Sequence, residues 1–484
     1  MGLKLFNTLS RSVQDFTPLD PAGKKAGMYC CGPTVYDFAH IGNWRTFVFG
    51  DLVRRYLEFK DFQVTHVMNI TDVEDKIIRR VRETKTSLRE FTGKYEAAFF
   101  EDLKALNCLS PHQTPRATEH IPDIIALIEK LVARGMAYQN IDAVDCSVYF
   151  SIDKYRGCGC KYGQLLKLDL AKLRPNERVL TDEIELDKDY VADFALWKAR
   201  VPDDGDVFWP SPFGEGRPGW HIECSAMSMK ALGETFDLHL GGEDLKFPHH
   251  EDEIAQSEGA TGQPFVKYWL HGAHLLVEGK KMSKSLGNFF TLRDLLAKGF
   301  TGREIRYLLL TAHYRETFNF TIEGLQGART ALARIDECVG KLREFGAPVS
   351  DPARSEVSKH AGAETGAPVL QEFSAAMDDD LNISAAWAVV FDWVRDMNRR
   401  LAENSLFAAD AATALTGWEK IDSVLGIGAK SGTEVPAEIL ALAEARTAAK
   451  QAKDFKCADA IRGELKAKGW VVEDTPKGPK LKKI

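Results

Sequence analysis

The chain has 484 residues, more than one ordinary core accommodates, since domains run to about 100–200 residues. With 44% hydrophobic and 27% charged residues it excludes a disordered or fibrous protein, and no apolar run is long enough for a signal peptide or a membrane span. A net charge of −7 excludes a globally basic nucleic-acid binder, and nine scattered cysteines fit reduced thiols of the cytoplasm better than a disulfide framework.

In chain order, "KKAGMYCCGPTVYD" reads as a strand, Ala26 to Cys30, broken by Gly32 and Pro33. "HIGNWRTFVFGDLVRRYLEF" follows with Phe47, Val48, Leu52 and Tyr56 at helical spacing. "FQVTHVMNITD" is strand-like and ends in a loop at Thr71. Strand, loop, helix, strand opens an α/β fold with a Rossmann-type doubly wound parallel sheet, in which ligands sit at the carboxyl ends of strands. The periodicity weakens over 146–206, which reads as a connective insertion, and α/β character returns from "RPGWHIECSAM" onward.

Beyond 320 the chain turns helical, with Leu325, Ala328, Leu332, Ile335, Val339 and Leu342 on one seam and a second helical region over Val369 to Leu406. The Gly-, Ala-, Pro- and Ser-rich stretch 346–368 reads as a loop between them. After the linker "GAKSGTEVP", a small C-terminal piece has helical spacing at Phe455, Ala458, Ile461 and Leu465 and a basic tail. The expected organisation is a catalytic domain over 1–145 and 207–285, the insertion 146–206, a loop and stem-contact region 286–320, a helical bundle 321–430 and a C-terminal domain 435–484.

"HIGN" at 40–43 stands where a helix begins after a strand, and a helix N-terminus with its free N–H groups suits phosphates. Gly42 lets a nucleotide approach the backbone. "GKKMSKSLGN" at 279–288 carries Lys280, Lys281 and Lys284 on a Gly- and Ser-rich loop, where ammonium groups follow a polyphosphate as charge builds in a transition state. "FPHHEDEIAQ" at 247–256 places His249 and Glu253 four apart on one helical face, as two metal ligands require, with His250 and Asp252 expected to point elsewhere. Further ligands must come from a distance; Cys31 and Cys224 are candidates, and spacing alone leaves the set open.

"HIGN" and "KMSKS" in that order match the two signatures of class I aminoacyl-tRNA synthetases; the departure is Asn43, where the first signature ideally ends in a second histidine. Together with "NITDVEDKII", "RPGWHIECSAM" and "FPHHEDEIAQ", the chain resembles the cysteinyl-tRNA synthetase family over nearly its whole length. The resemblance implies an enzyme that uses Mg²⁺ with ATP to activate L-cysteine and passes it to tRNA-Cys. It also implies one zinc ion per chain, on Cys31, Cys224, His249 and Glu253, binding the substrate thiolate. His40, Asn43, Lys281 and Lys284 take catalytic roles, and Gly42, Gly241, Gly242 and Asp244 join them around ATP. Thr71, Trp220 and His239 surround the amino acid, and the helical and C-terminal regions bind the anticodon. For that last task the expectation names Trp470 and the lysines at 477, 480, 482 and 483. A monomer without membrane contact is implied too, and "KIIR" at Lys76 to Arg79 resembles a motif tied in some members to pyridoxal phosphate and cysteine persulfide. The nearest rival is a relative that gives cysteine to an amino sugar and lacks the full anticodon region; a paralogue with a decayed active site is the non-enzymatic one.

Overall fold

The computed structural model describes residues 2–140, 146–166, 179–180, 185–186, 193–283, 286–346, 367–429, 437–475 and 478–483. These fall into two compact units, Met1–Ile427 and Gly428–Ile484. Lys284, Lys477 and most of the 346–368 stretch lie outside the described residues.

The heart of the first unit is a four-stranded sheet in the order Val266–Gly272, Phe236–Gly242, Lys25–Cys30, Gln63–Met68, with every pair parallel. Every residue of Phe236–Gly242 is buried, the pattern of a strand covered on both faces. The helix Ile41–Phe59 connects two adjacent strands and buries Trp44, Val48, Leu52, Val53 and Tyr56. All four strands therefore end on one edge of the sheet, which brings Cys31, Asn69, Gly242 and Ala273 to a common rim.

A separate antiparallel sheet, ordered Gly216–Pro218, Phe194–Ala199, Val148–Phe150, Ala137–Gln139, takes its outer strands from either side of the 146–206 segment. That segment is tied to the main body by the carboxylates of the opening helix of "HHEDE". Glu251 accepts from the backbone N–H groups of Gly163 at 2.7 Å and Leu165 at 2.9 Å, and Asp252 accepts from the Tyr162 hydroxyl.

The helical part comprises Ile322–Gly346, Ala367–Asp378, Ile383–Ala402 and Ala408–Leu425, and the whole seam from Leu325 to Leu342 is buried. The region expected as one stretch from Val369 to Leu406 breaks at Asp380 and Leu381, which take left-handed φ of 54° and 57°. Such a pair is costly for non-glycine residues and persists only where contacts over-determine it. Asp380 supplies them, accepting from Phe6 N at 2.7 Å and Tyr314 Oη at 2.6 Å and pairing with Arg315. A second tie is the fully buried Arg306, whose guanidinium meets Asp51 of the first helix at 2.5 Å and donates to Leu425 O at 2.7 Å. Burial opposes ionisation of Asp51, yet Arg306, Arg55 and the Leu109 N–H outweigh it and hold its carboxyl below the usual range.

The second unit packs the helices Ala437–Gln451 and Phe455–Ala467 on a hairpin of Trp470–Thr475 and Gly478–Lys483. Its core is Ile439, Leu465, Trp470 and Val472. Two expectations change here. Trp470, expected to stack on RNA, is buried, because a unit this small must bury its largest apolar ring to have a core. Phe455, counted on the helix seam, is 62% exposed, since it opens the helix directly after the N-cap Asp454, before a full turn has formed. Gly478–Lys483 of the basic tail is the second strand of the hairpin. Among the described residues no helix is long and apolar enough to cross a membrane.

Candidate active site

The sheet's rim is shaped first by Gly32. A Cβ there would lie 1.7 Å from the carbonyl oxygen of Asn69, and the Gly32 N–H donates to Asn69 Oδ1 at 2.8 Å, so only glycine lets the two strand ends run this close. Asn69 also donates to Thr71 Oγ1 at 3.1 Å, and Thr71 is buried.

His40 is the N-cap of the helix Ile41–Phe59, in a reciprocal capping box with Asn43. The Asn43 N–H donates to His40 Nδ1 at 3.2 Å, and Asn43 Oδ1 accepts from His40 N at 3.1 Å. Because Nδ1 accepts, the neutral ring carries its proton on Nε2, which makes Nε2–H a donor. Asn at 43, the departure from the signature, thus fixes the ring of the histidine that starts it.

A cleft of about 890 Å³ opens at this rim, lined among others by His40, Gly42, Asn43, Trp220, Gly242 and Asp244. Lys281 lies across it, exposed, on a short strand paired with Leu276. Thr71, His239 and Gly241 are not among the residues that line it. Gly241 has a steric reason: a Cβ would meet the His250 ring at 2.5 Å.

Behind Trp220, whose ring stacks on His249 with centroids 4.4 Å apart, lies a buried cluster. Cys31 comes from the loop after its strand, Cys224 from the helix Trp220–Leu232, His249 from a wide turn at Lys246–His250, and Glu253 from the helix Glu251–Thr261. The sulfurs of Cys31 and Cys224 are 4.0 Å apart, Cys31 Sγ is 3.8 Å from Glu253 Oε1, and His249 Nε2 is 3.1 Å from the same oxygen. All four donor atoms lie within 4.8 Å of one another, and Cys31, His239, His250 and Glu253 form an overlapping group with the same property. His250 therefore does not point away as expected: its Nε2 is 3.3 Å from Cys31 Sγ. The reason is helical spacing itself: His250 is three residues before Glu253 and His249 four, both positions lie on one face, and His250 Nε2 stands 3.9 Å from Glu253 Oε1. Asp252 does turn elsewhere, to Tyr162 and, at 3.5 Å, to His221 Nε2.

The electrostatics of the cluster suit a cation. Burial pushes Glu253 well above the usual carboxylate range, and burial with the Cys224 thiol and Glu253 beside it pushes the Cys31 thiol up. Burial lowers His249, His250 and His271 well below the usual imidazole range and His221 and His239 to about 3, so the rings stay neutral and offer lone pairs. A divalent ion reverses the cost of ionising the thiols and carboxylate together. Tetrahedral bonds of about 2.3 Å to two sulfurs set them roughly 3.8 Å apart, near the spacing present, so the residues fit such an ion.

Sequence reasoning passed over a chain of imidazoles around this cluster. His221 Nδ1 is 2.8 Å from His249 Nδ1, His250 Nδ1 is 2.8 Å from His271 Nε2, and His239 Nε2 is 2.9 Å from Glu253 Oε2. His221 and His271 are single histidines in apolar runs; only the hint that one follows Trp220 and the other ends a strand marks them. Cys158 and Cys160 join no such group among the described residues.

A class I aminoacyl-tRNA synthetase is the class that this rim, sheet and paired signatures define, and a family model described as tRNA synthetases class I (C) catalytic domain matches residues 18–330. The DALR domain matches 372–430 and the cysteinyl-tRNA ligase anticodon binding domain 432–479. Cysteine-tRNA ligase of Chlamydia muridarum is 47% identical and that of Chlamydia trachomatis serovar A 46%, each over 100% of both chains. The chain belongs to the cysteine-tRNA ligase family. Mycobacterium tuberculosis methionyl-tRNA synthetase in complex with methionyl-adenylate shares the fold, with a TM-score of 0.60 at 15% identity over 84% of this chain and 90% of that one. The rival that lacks an anticodon region does not account for the two C-terminal matches.

Proposed function

We propose that the chain activates L-cysteine with ATP and Mg²⁺, passes it to tRNA-Cys, and selects the amino acid through a zinc ion on Cys31, Cys224, His249 and Glu253. The observation that carries the reading is the buried thiol, imidazole and carboxylate cluster set directly behind Trp220 at the rim of the cleft. Zinc, when bound, supplies a soft Lewis acid for the substrate thiolate, which a serine hydroxyl cannot match at neutral pH. Shape alone separates near-isosteres by only about tenfold to a few hundredfold.

The substrate carboxylate attacks the α-phosphate of ATP, releasing pyrophosphate and leaving cysteinyl-adenylate. A ribose hydroxyl at the tRNA 3′ end then attacks the activated carbonyl and AMP leaves. Neither step needs a protein nucleophile, so these side chains position and stabilise charge. His40 donates from Nε2–H to a phosphate oxygen, with Asn43 holding its ring. Lys281, and Lys284 beyond it, neutralise the polyphosphate. Gly241, Gly242 and Asp244 face the adenosine, and Thr71, Trp220 and His239 the amino acid. The segments 321–430 and 435–484 bind the anticodon side, and the enzyme works in the cytoplasm as a monomer.

Transfer of labelled cysteine to acid-precipitable tRNA tests this. Incorporation should require ATP and tRNA-Cys, and removal of zinc by chelation should abolish cysteine-dependent pyrophosphate exchange until zinc is restored. Exchange without charging contradicts the tRNA reading; full activity after verified zinc loss contradicts the metal role.

A further inference from the structure

The four-stranded sheet ends at the strand Val266–Gly272, and an edge strand presents N–H and C=O groups without a sheet partner. Asn7 and Thr8 take these groups up. Asn7 Oδ1 accepts from Trp269 N at 3.1 Å, Asn7 Nδ2 donates to Lys267 O at 2.9 Å, and Thr8 N donates to Trp269 O at 2.9 Å. These bonds pin Thr8, which is buried, beside the end of the strand. Its hydroxyl lies 2.9 Å from His271 Nδ1.

From there a buried chain of side chains runs to the metal cluster. His271 Nε2 is 2.8 Å from His250 Nδ1, and His250 Nε2 is 3.3 Å from Cys31 Sγ. Burial holds both imidazoles neutral, so each ring carries one proton and each link has one donor. Fixing the donor at one end therefore fixes it at every link. A metal-bound Cys31 is a thiolate, which only accepts, so Nε2–H of His250 donates to it. His250 Nδ1 then accepts from Nε2–H of His271, and His271 Nδ1 accepts from the Thr8 hydroxyl.

We propose that Thr8 is a positioning residue of the zinc site: its hydroxyl fixes the tautomers of His271 and His250, and through them the hydrogen bond that the Cys31 thiolate receives. The inference rests on the zinc reading of the cluster and extends that site to a segment preceding the catalytic sheet. Outer partners of this kind orient the ligands, and losing one costs about 10- to 100-fold in metal affinity.

The test reads zinc affinity by competition with a chromophoric chelator, on the full chain and without substrates. Thr8→Val keeps the methyl and removes the hydroxyl, and should lower zinc affinity about tenfold. Thr8→Ser keeps the hydroxyl and removes the methyl, and should stay near the unsubstituted chain. Unchanged affinity in Thr8→Val overturns the proposal. So does an equal loss in both variants, since that assigns the effect to packing. Cobalt adds a spectroscopic readout: the thiolate-to-metal charge-transfer band of the cobalt-loaded chain should move in Thr8→Val and hold in Thr8→Ser, and a band unmoved in both counts against the chain of bonds. If Thr8→Val does not fold, His271→Leu and His271→Gln replace it. The glutamine amide can donate to His250 as the ring did, so affinity should fall about tenfold with leucine and hold with glutamine; equal affinities overturn the proposal. Failure of the underlying reading looks different, as an unsubstituted chain that holds no stoichiometric zinc at all.

Discussion

Glu253 is fully buried beside a thiol and two imidazoles, an arrangement that is costly for a lone carboxylate and favourable for one facing a divalent ion. Removing one ligand therefore acts on metal content and specificity together. Cys224→Ser is expected to lower zinc affinity about 100-fold or more and to narrow the preference for cysteine over serine in pyrophosphate exchange. Retained zinc with unchanged selectivity would show that this sulfur is not a ligand. His66 is a residue-scale case away from the site: buried, with neither ring nitrogen hydrogen-bonded among the described residues, and lowered by burial and by Arg54 to about 3. The native state keeps this ring neutral, while the unfolded chain protonates it near 6.5, so stability falls as pH drops from 6.5 toward 3 at up to about 1.4 kcal/mol per unit. His66→Leu should make unfolding less pH-dependent between 6.5 and 5; denaturant midpoints at several pH values read this, and parallel slopes for both proteins would refute it.

At the scale of elements, the proposed function sets much of the nucleotide chemistry at the start of one helix. The capping box unites helix stability with the orientation of His40, so Asn43→Ala should weaken both. It should cost about 1 kcal/mol in stability and slow pyrophosphate exchange mainly through kcat, with KM for cysteine little changed. Equal loss in both kinetic constants would point to a disordered cleft instead of a misdirected imidazole. The turn Lys246–His250 shows the opposite relation between element and site. After its one non-helical residue, Phe247, helical spacing puts both His250 and His249 at the cluster, three and four residues before Glu253 on one face.

On the scale of the molecule, the catalytic sheet and the helical part are fastened through Arg306 and Asp380, within the first unit. The second unit, Gly428–Ile484, has its own core around Trp470. Its removal is expected to leave cysteine-dependent pyrophosphate exchange near its full rate and to reduce tRNA charging strongly. Trp470→Ala should act the same way, by unfolding that unit at a cost of about 3–5 kcal/mol. Charging that survives either change would take anticodon reading away from this unit.

What the sequence determined by itself was whatever depends on local spacing and residue chemistry. The strand before Gly32, the helix opening at His40, the seam from Leu325 to Leu342 and the acid-rich turn around His249 all follow from periodicity and from the demands of caps and glycines. The choice of Cys31 and Cys224 as partners of His249 and Glu253 came from family resemblance, because residues 193 positions apart declare no proximity by spacing. Only the tertiary structure decided the rest. It surrounded the cluster with His221, His239, His250 and His271, turned Trp470 into core and Phe455 outward, and left Glu223 Oε2 without a hydrogen-bond partner among the described residues. The reason is physical: burial, orphaned hydrogen bonds and imidazole contacts arise where distant segments meet at strand ends, and no local pattern encodes which segments those will be.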